Sequence, residues 1–297
     1  LITLDFIINA ISLGSLYALI SLGLVIIYGI LKMVNFAYGE LIMIGGYFLY
    51  IVGLNTQIPW FFVAVAAILA AMLVSFTTEL VAFRQVREKS LTALLITSFA
   101  VSTLLQNAAL LIISPRAKAV PLPAIFSTSV SLLGANIPMR NVLTIVTTII
   151  LLIGLSLLLK HTLLGIALRA AADNFKMTRM LGVPANLVIS IAFILSGAIA
   201  GVVSLFWVGR TASVTPSIGQ APLLIAFIAT VVGGINSLEG AVVGGFVYGL
   251  LFSFIGVLLP QSMLDYREAF MFLIVILILL WRPQGLIKGR FAQERVG

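Results

Sequence analysis

An all-α, polytopic integral membrane protein with about eight or nine transmembrane helices is the fold class this sequence predicts, on three observations. The chain is 62% hydrophobic and only 9% charged, whereas a soluble domain carries about a quarter charged residues. Its mean hydropathy is +1.23. Apolar runs recur along the whole chain, each near the roughly 20 residues a spanning helix needs, and none shows the strict alternation of an outer-membrane strand.

Taken in order, the candidate spans are residues 6–31, 40–54, 60–83, 91–113, 142–159, 187–208, 223–235, 240–259 and 269–281. The first is too long for a cleavable signal and lacks a small-residue cleavage site, so it reads as a retained span. Residues 40–54 and 223–235 are short for a crossing and read as tilted or re-entrant pieces. A single transmembrane domain over residues 1–297 is expected, with a central loop at 160–185 and a second long loop at 114–140. Short-loop lysines and arginines set the orientation. Arg84, Arg87 and Lys89 form one cluster, the central loop a second, and Arg282, Lys288, Arg290 and Arg295 a third. Placing all three in the cytoplasm leaves 114–140 outside, where Pro115, Pro121, Pro123 and Pro138 favour an extended surface excursion.

Several function classes drop out. The net charge of +8 is spread over span ends rather than gathered in a patch, so no nucleic-acid partner is expected. There is no cysteine, which excludes thiol chemistry and Cys-ligated metals. The single histidine, His161, stands beside Lys160 at a span end and makes a poor basis for a metal site. Neither a nucleophile elbow nor a His-Glu-x-x-His pair is present. No Gly-x-x-x-x-Gly-Lys-Ser/Thr loop exists either, so any ATP is bound on another polypeptide.

The central loop is the longest polar interruption. Arg169, Asp173 and Lys176 are spaced i, i+4, i+7 and neighbour one another on a helix. Ile166, Ala170, Met177, Met180 and Leu181 gather on one side of the wheel, with Arg169, Lys176 and Arg179 beside them. Gly182 followed by Pro184 is a helix stop. Such a helix lies on anionic lipid or fits a groove on a partner protein; Asp173 and the fixed stop favour the partner.

Two polar interruptions of apolar runs mark pathway or gate candidates. The first is Asn35-Phe-Ala-Tyr-Gly-Glu40, giving Asn35, Tyr38, Gly39 and Glu40. The second is Gly233-Gly-Ile-Asn-Ser-Leu-Glu239, giving Gly233, Gly234, Asn236 and Glu239. The glycine pairs that follow, Gly45-Gly46 and Gly244-Gly245, together with Gly249, suit close helix packing better than solute passage. Asn35 and Asn236 suit helix capping equally well.

These residues together resemble the LivH-type inner-membrane permease of branched-chain amino acid ABC importers, over essentially the full length. Gly14-Ser-Leu-Tyr-Ala-Leu, Tyr28-Gly-Ile-Leu and Asn35-Phe-Ala-Tyr-Gly-Glu are similar to that family's N-terminal signature; Tyr38 stands where the family's usual form has His. Gly165-Ile-Ala-Leu-Arg169-Ala, Asn174 and Leu181-Gly-Val match its cytoplasmic coupling loop. Val232-Gly-Gly-Ile-Asn-Ser-Leu-Glu-Gly-Ala241 and Trp281-Arg-Pro-Gln-Gly-Leu286 match its C-terminal segments.

The resemblance implies an ABC importer permease of the branched-chain amino acid/ribose type, with no enzymatic activity and no cofactor of its own. It would sit in the bacterial inner membrane with a second, LivM-like permease or a second copy of itself. Two LivG/LivF-like ATPase subunits would bind the ATP, and a periplasmic solute-binding protein would deliver solute. Gly165, Arg169, Ala170, Asn174 and Gly182 inherit the coupling role, and Asp173, Lys176 and Arg179 join them from the wheel. The residues alone leave open an ion-coupled secondary transporter, using Glu40, Glu239, Asp265 or Glu268, and a non-transporting membrane scaffold.

Overall fold

A computed structural model of the chain describes residues 4–287 other than 56, 88, 133, 134, 174 and 236. Every expected span is helical. α1 is Leu4–Leu31, α2 Tyr38–Gly53 and α3 Trp60–Thr78; α3 runs through a π turn, Glu79–Phe83, into α4, Arg84–Val86. α5 is Leu91–Ile112 and α6 Met139–His161. The central loop is helical on both sides of residue 174, as α7 Leu163–Asp173 and α8 Phe175–Met180. α9 Ala185–Thr211, α10 Gln220–Gly233, α11 Leu238–Leu258 and α12 Arg267–Trp281 complete the chain.

Six of these helical stretches are long and apolar enough to cross a membrane: Leu4–Leu31, Trp60–Val86, Leu91–Ile112, Met139–His161, Asn186–Thr211 and Leu238–Leu258. α2 has 16 residues, α10 14 and α12 15. At about 1.5 Å per residue, α2 reaches only about 24 Å, short of the roughly 30 Å hydrocarbon core. The expected eight or nine crossings therefore require two or all three of these short helices to reach both faces.

The 114–140 loop carries more order than its prolines suggest. Lys118–Ala119 (β1) pairs antiparallel with Ser213–Val214 (β4), and Ser129–Leu132 (β2) pairs antiparallel with Ala135–Pro138 (β3) in a hairpin. Val130 opposes Ile137 there.

The chain forms two compact units. One comprises residues 26–123 and 151–224. In it α3 and α9 run antiparallel with α2 packed against both, around a core of Met43, Tyr47, Val63, Ala67, Leu205 and Val208. Small residues set the distance between these helices. Gly197 lies against Ala71 and Ser75, Gly201 against Ile68, and Gly45 against Ser204. Gly197-Ala-Ile-Ala-Gly201 is a small-x-x-x-small stripe that lets backbones approach, and the Ser75 hydroxyl donates to the Phe193 carbonyl at 2.6 Å across it.

The other unit comprises residues 1–25, 124–150 and 225–297, described as far as residue 287. α1 and α11 meet there on glycines: a Cβ at Gly245 would overlap the backbone of Ala18, and one at Gly249 the backbone of Gly14. Tyr17 stands edge-on to Tyr248 at 5.6 Å beside this contact. Ser12 donates to Asn141 Oδ1 at 3.2 Å, and Asn141 Nδ2 to Asn9 Oδ1 at 3.4 Å, so the polar side chains between α1 and α6 satisfy one another. The 282–287 stretch folds back on the break between α10 and α11. Leu286 N–H donates to Val232 O at 2.8 Å and Ile287 N–H to Gly233 O at 3.0 Å, with Gly234 (φ +116) and Gly285 (φ +80) in backbone contact.

Candidate functional site

The central loop is fixed at both ends by local chemistry. Thr162 caps α7: its Oγ1 accepts from Gly165 N–H at 3.0 Å, satisfying a donor that the first helical turn leaves open. Gly165 is buried where α7 turns back on α6, and a Cβ there would overlap the carbonyls of Leu158 and Leu159. At the other end Gly182 takes φ +85. Its N–H donates to Arg179 O at 3.2 Å and Val183 N–H donates to Thr178 O at 3.3 Å. This is the paired bonding of a Schellman stop, so Gly182 ends α8 as its sequence context predicts.

Which face is buried is less expected. Gly165, Leu168, Ala171 and Thr178 turn inward. The apolar stripe read from the wheel turns outward: Ile166 is 50% exposed, Met177 54%, Met180 72% and Leu181 79%, with Ala170 half-buried. Arg169 and Arg179 are exposed beside it. Leu163 and Leu164 extend the outward apolar surface. Asn174 and the side chains of Asp173 and Lys176 lie outside the described residues.

The exit of this loop is tied to the end of α3. Glu79 is fully buried at the start of the π turn. Its Oε1 accepts from Arg84 Nε at 3.3 Å and Arg87 Nη1 at 3.4 Å; its Oε2 accepts from Arg84 Nη2 at 3.2 Å and Ser190 Oγ at 2.8 Å. Arg84 Nη2 also reaches Ser190 Oγ at 3.1 Å, and Arg87 donates to Asn186 Oδ1. Asn186 and Ser190 occupy the first turns of α9, directly after the Gly182–Pro184 stop. The basic cluster at 84–87 and the central loop thus share one end of this unit. Sequence reading counted the arginines but passed over Glu79, an acid inside an apolar run five residues before Arg84, and such an acid is a functional pointer in its own right.

The two sets of pathway candidates fall in different compact units. In the 26–123/151–224 unit, Asn35 is buried and its Oδ1 accepts from Ala37 N–H at 3.1 Å, turning the chain into α2. Tyr38 is fully buried, and Gly39 packs on the Gly219 carbonyl. Glu40 is 2% exposed; its Oε1 accepts from Ser102 Oγ at 3.0 Å, while Oε2 and the Tyr38 hydroxyl have no hydrogen-bond partner among the described residues. The Phe36 ring stacks on Phe99 at 4.0 Å, so α5 covers this stretch. In the other unit Gly233 and Gly234 are buried against Gly240 and the 284–287 backbone. Ser237 caps α11 through Gly240 N–H at 3.0 Å, and Glu239 is exposed in its first turn, where the helix dipole favours an acid. Asn236 lies outside the described residues. Among the described residues no group of three His, Asp or Glu side chains converges on a metal-sized space.

The family model described as "Branched-chain amino acid transport system / permease component" matches residues 6–279. The chain is similar to the high-affinity branched-chain amino acid transport system permease protein BraD of Pseudomonas aeruginosa, at 34% identity over 302 residues covering 97% of this chain and 96% of the relative. It is similar to the protein LivH of Escherichia coli K12, at 32% identity over 303 residues covering 97% and 96%. A probable branched-chain amino acid transport permease LivH of Methanocaldococcus jannaschii is 29% identical over 290 residues, covering 94% and 90%. No solved structure matches.

Proposed function

From the premise that the chain belongs to the branched-chain amino acid transport system permease family, we propose that it is the membrane-spanning subunit of an ATP-driven importer for leucine, isoleucine, valine or a related small polar solute. It sits in the inner (plasma) membrane and works with a second permease or a second copy of itself. Two separate ATPase subunits bind the ATP, and a periplasmic binding protein delivers the solute. The family is one of transport permeases, so the chain performs no covalent chemistry. The two states of the transport cycle expose the pathway first outward, then inward.

The observation that carries this reading is the outward apolar stripe of α7 and α8. Ile166, Met177, Met180 and Leu181, flanked by Arg169 and Arg179, form the apolar face and charged edge that a groove on a partner protein receives. Both ends of the loop are locked, by Thr162 and by Gly182, so a push on the stripe moves α9 rather than dissipating in slack chain. Gly165, Arg169, Ala170, Asp173, Asn174, Lys176, Arg179 and Gly182 make up this ATPase-facing loop, and it lies in the cytoplasm with the other basic span ends. Asn35, Tyr38, Gly39 and Glu40 act at a gate in the pathway, with Gly233, Gly234, Asn236 and Glu239 as the second set. Support for the gate comes from Glu40, whose second carboxylate oxygen is buried with no partner among the described residues.

The test is Arg169→Glu in the complete importer. Arg169 is exposed, so stability and membrane insertion stay within about 0.5 kcal/mol of wild type, as for other surface changes. ATP-dependent leucine uptake is lost, because a carboxylate replaces the cation at the docking edge. Unchanged uptake removes the loop from the mechanism, and uptake by this chain with no ATPase subunit present overturns the whole assignment.

A further inference from the structure

The end of α3 holds a feature that the docking loop does not account for. A π turn is an i→i+5 hydrogen-bonded segment, rare and frequent at functional positions. Here Arg84 N–H bonds to Glu79 O, the i+5 closure itself. In an α-helix a residue and the one five positions on lie well apart around the axis, since neighbours are spaced three and four. The extra residue of the π turn brings Arg84 back over Glu79, and the side chains pair at 3.2 Å and 3.3 Å. The irregularity in the helix and the charge pair are therefore one construction.

That construction does not stop at its own helix. Ser190 donates to Glu79, and Asn186 accepts from Arg87. Both lie on α9, which begins where the Gly182 stop ends the loop. Further along, Gly197 and Gly201 of α9 bring its backbone close to Ala71, Ser75 and Ile68 of α3. The salt bridges of Glu79 with Arg84 and Arg87 lie at the loop end of these helices.

We propose that Glu79 is a positioning residue for transport: it clasps the start of α9 through Ser190 and, by way of Arg87, Asn186, so that displacement of the loop carries α3 with it. This rests on reading 160–185 as the ATPase-facing loop. The clasp has the form such a link requires. The carboxylate is fully buried, so water does not screen it. Three donor side chains saturate it, so no single contact carries it. Without the clasp the loop still docks and ATP is still hydrolysed, but α9 moves without α3.

The experiment uses the complete importer reconstituted in vesicles, with labelled leucine uptake and ATP hydrolysis measured together and normalised to assembled complex. Glu79→Gln keeps the shape and removes the charge. It raises the ATP consumed per leucine about tenfold, within the range of coupling between distinct sites. Asn186→Ala releases only the Arg87 contact and raises the same ratio about threefold, as loss of one hydrogen bond does. If Glu79→Gln fails to assemble, Asn186→Ala decides alone, because Asn186 is exposed and its loss spares the buried pair. A ratio equal to wild type overturns the proposal, whether both rates are intact or fall together. Arg169→Glu, run alongside, separates the two readings. If it abolishes uptake while the Glu79→Gln ratio is unchanged, only the clasp is discarded; if it leaves ATP-driven uptake intact, the loop assignment has failed.

Discussion

Glu79 and Glu40 are both shut away in the same compact unit, 0% and 2% exposed, and are provided for in opposite ways. Glu79 accepts four hydrogen bonds, two of its three partner side chains being arginines. Glu40 accepts one, from a serine, and keeps an oxygen without a partner among the described residues. A carboxylate in apolar surroundings is costly unless paired. Glu79 therefore belongs to a finished structure. Glu40 sits where its polar complement is left open among the described residues, which is what the proposed gate requires.

The sharpest way to break this contrast is to remove Glu79 altogether. Glu79→Leu leaves Arg84 and Arg87 without their counter-charge and destabilises the protein by about 3–5 kcal/mol, read as a fall in thermal unfolding temperature in detergent. The triple variant Glu79→Leu/Arg84→Leu/Arg87→Leu recovers most of that loss, since apolar side chains replace a buried ion pair at little cost. It does not recover coupled uptake. Recovery of both would reduce the cluster to packing.

Next in size is Glu40→Met. One weakly held buried carboxylate gives way to an apolar side chain of similar volume, so stability holds or rises by about 1 kcal/mol, while leucine uptake falls. A large stability loss here would place Glu40 in the same class as Glu79 and erase the contrast. The smallest effect is that of Ser102→Ala, which removes one hydrogen bond and costs about 1 kcal/mol. Its effect on uptake should follow that of Glu40→Met in direction and be weaker.

Much of the helical frame was legible in the sequence, because hydropathy and length report directly on what a bilayer requires. All nine candidate spans are helical and six are long and apolar enough to cross a membrane, and the short lengths of α2 and α10 and the stop at Gly182 follow from composition and backbone preference. The packing role of Gly45, Gly245 and Gly249 was legible for the same reason. Direction was not. The loop carries apolar residues on two faces, and a wheel cannot say that Leu168 and Ala171 turn inward while Ile166 and Met180 turn outward. The Glu79–Arg84 pair escaped because its spacing of five is no pair in an ordinary helix; only the π turn makes it one. The β2–β3 hairpin hid behind prolines that signalled an irregular loop. Long-range meetings, such as that of the closing motif with the Gly233–Gly234 break, have no local signature at all.

That last meeting bears on how the protein is made. The buried carbonyls of Val232 and Gly233 take their partners from Leu286 and Ile287, and a buried carbonyl left without a partner is costly. During synthesis the turn between α10 and α11 emerges well before the residues that seal it. A nascent chain cut short after α12 would have its helices but leave the Val232 and Gly233 carbonyls without these partners.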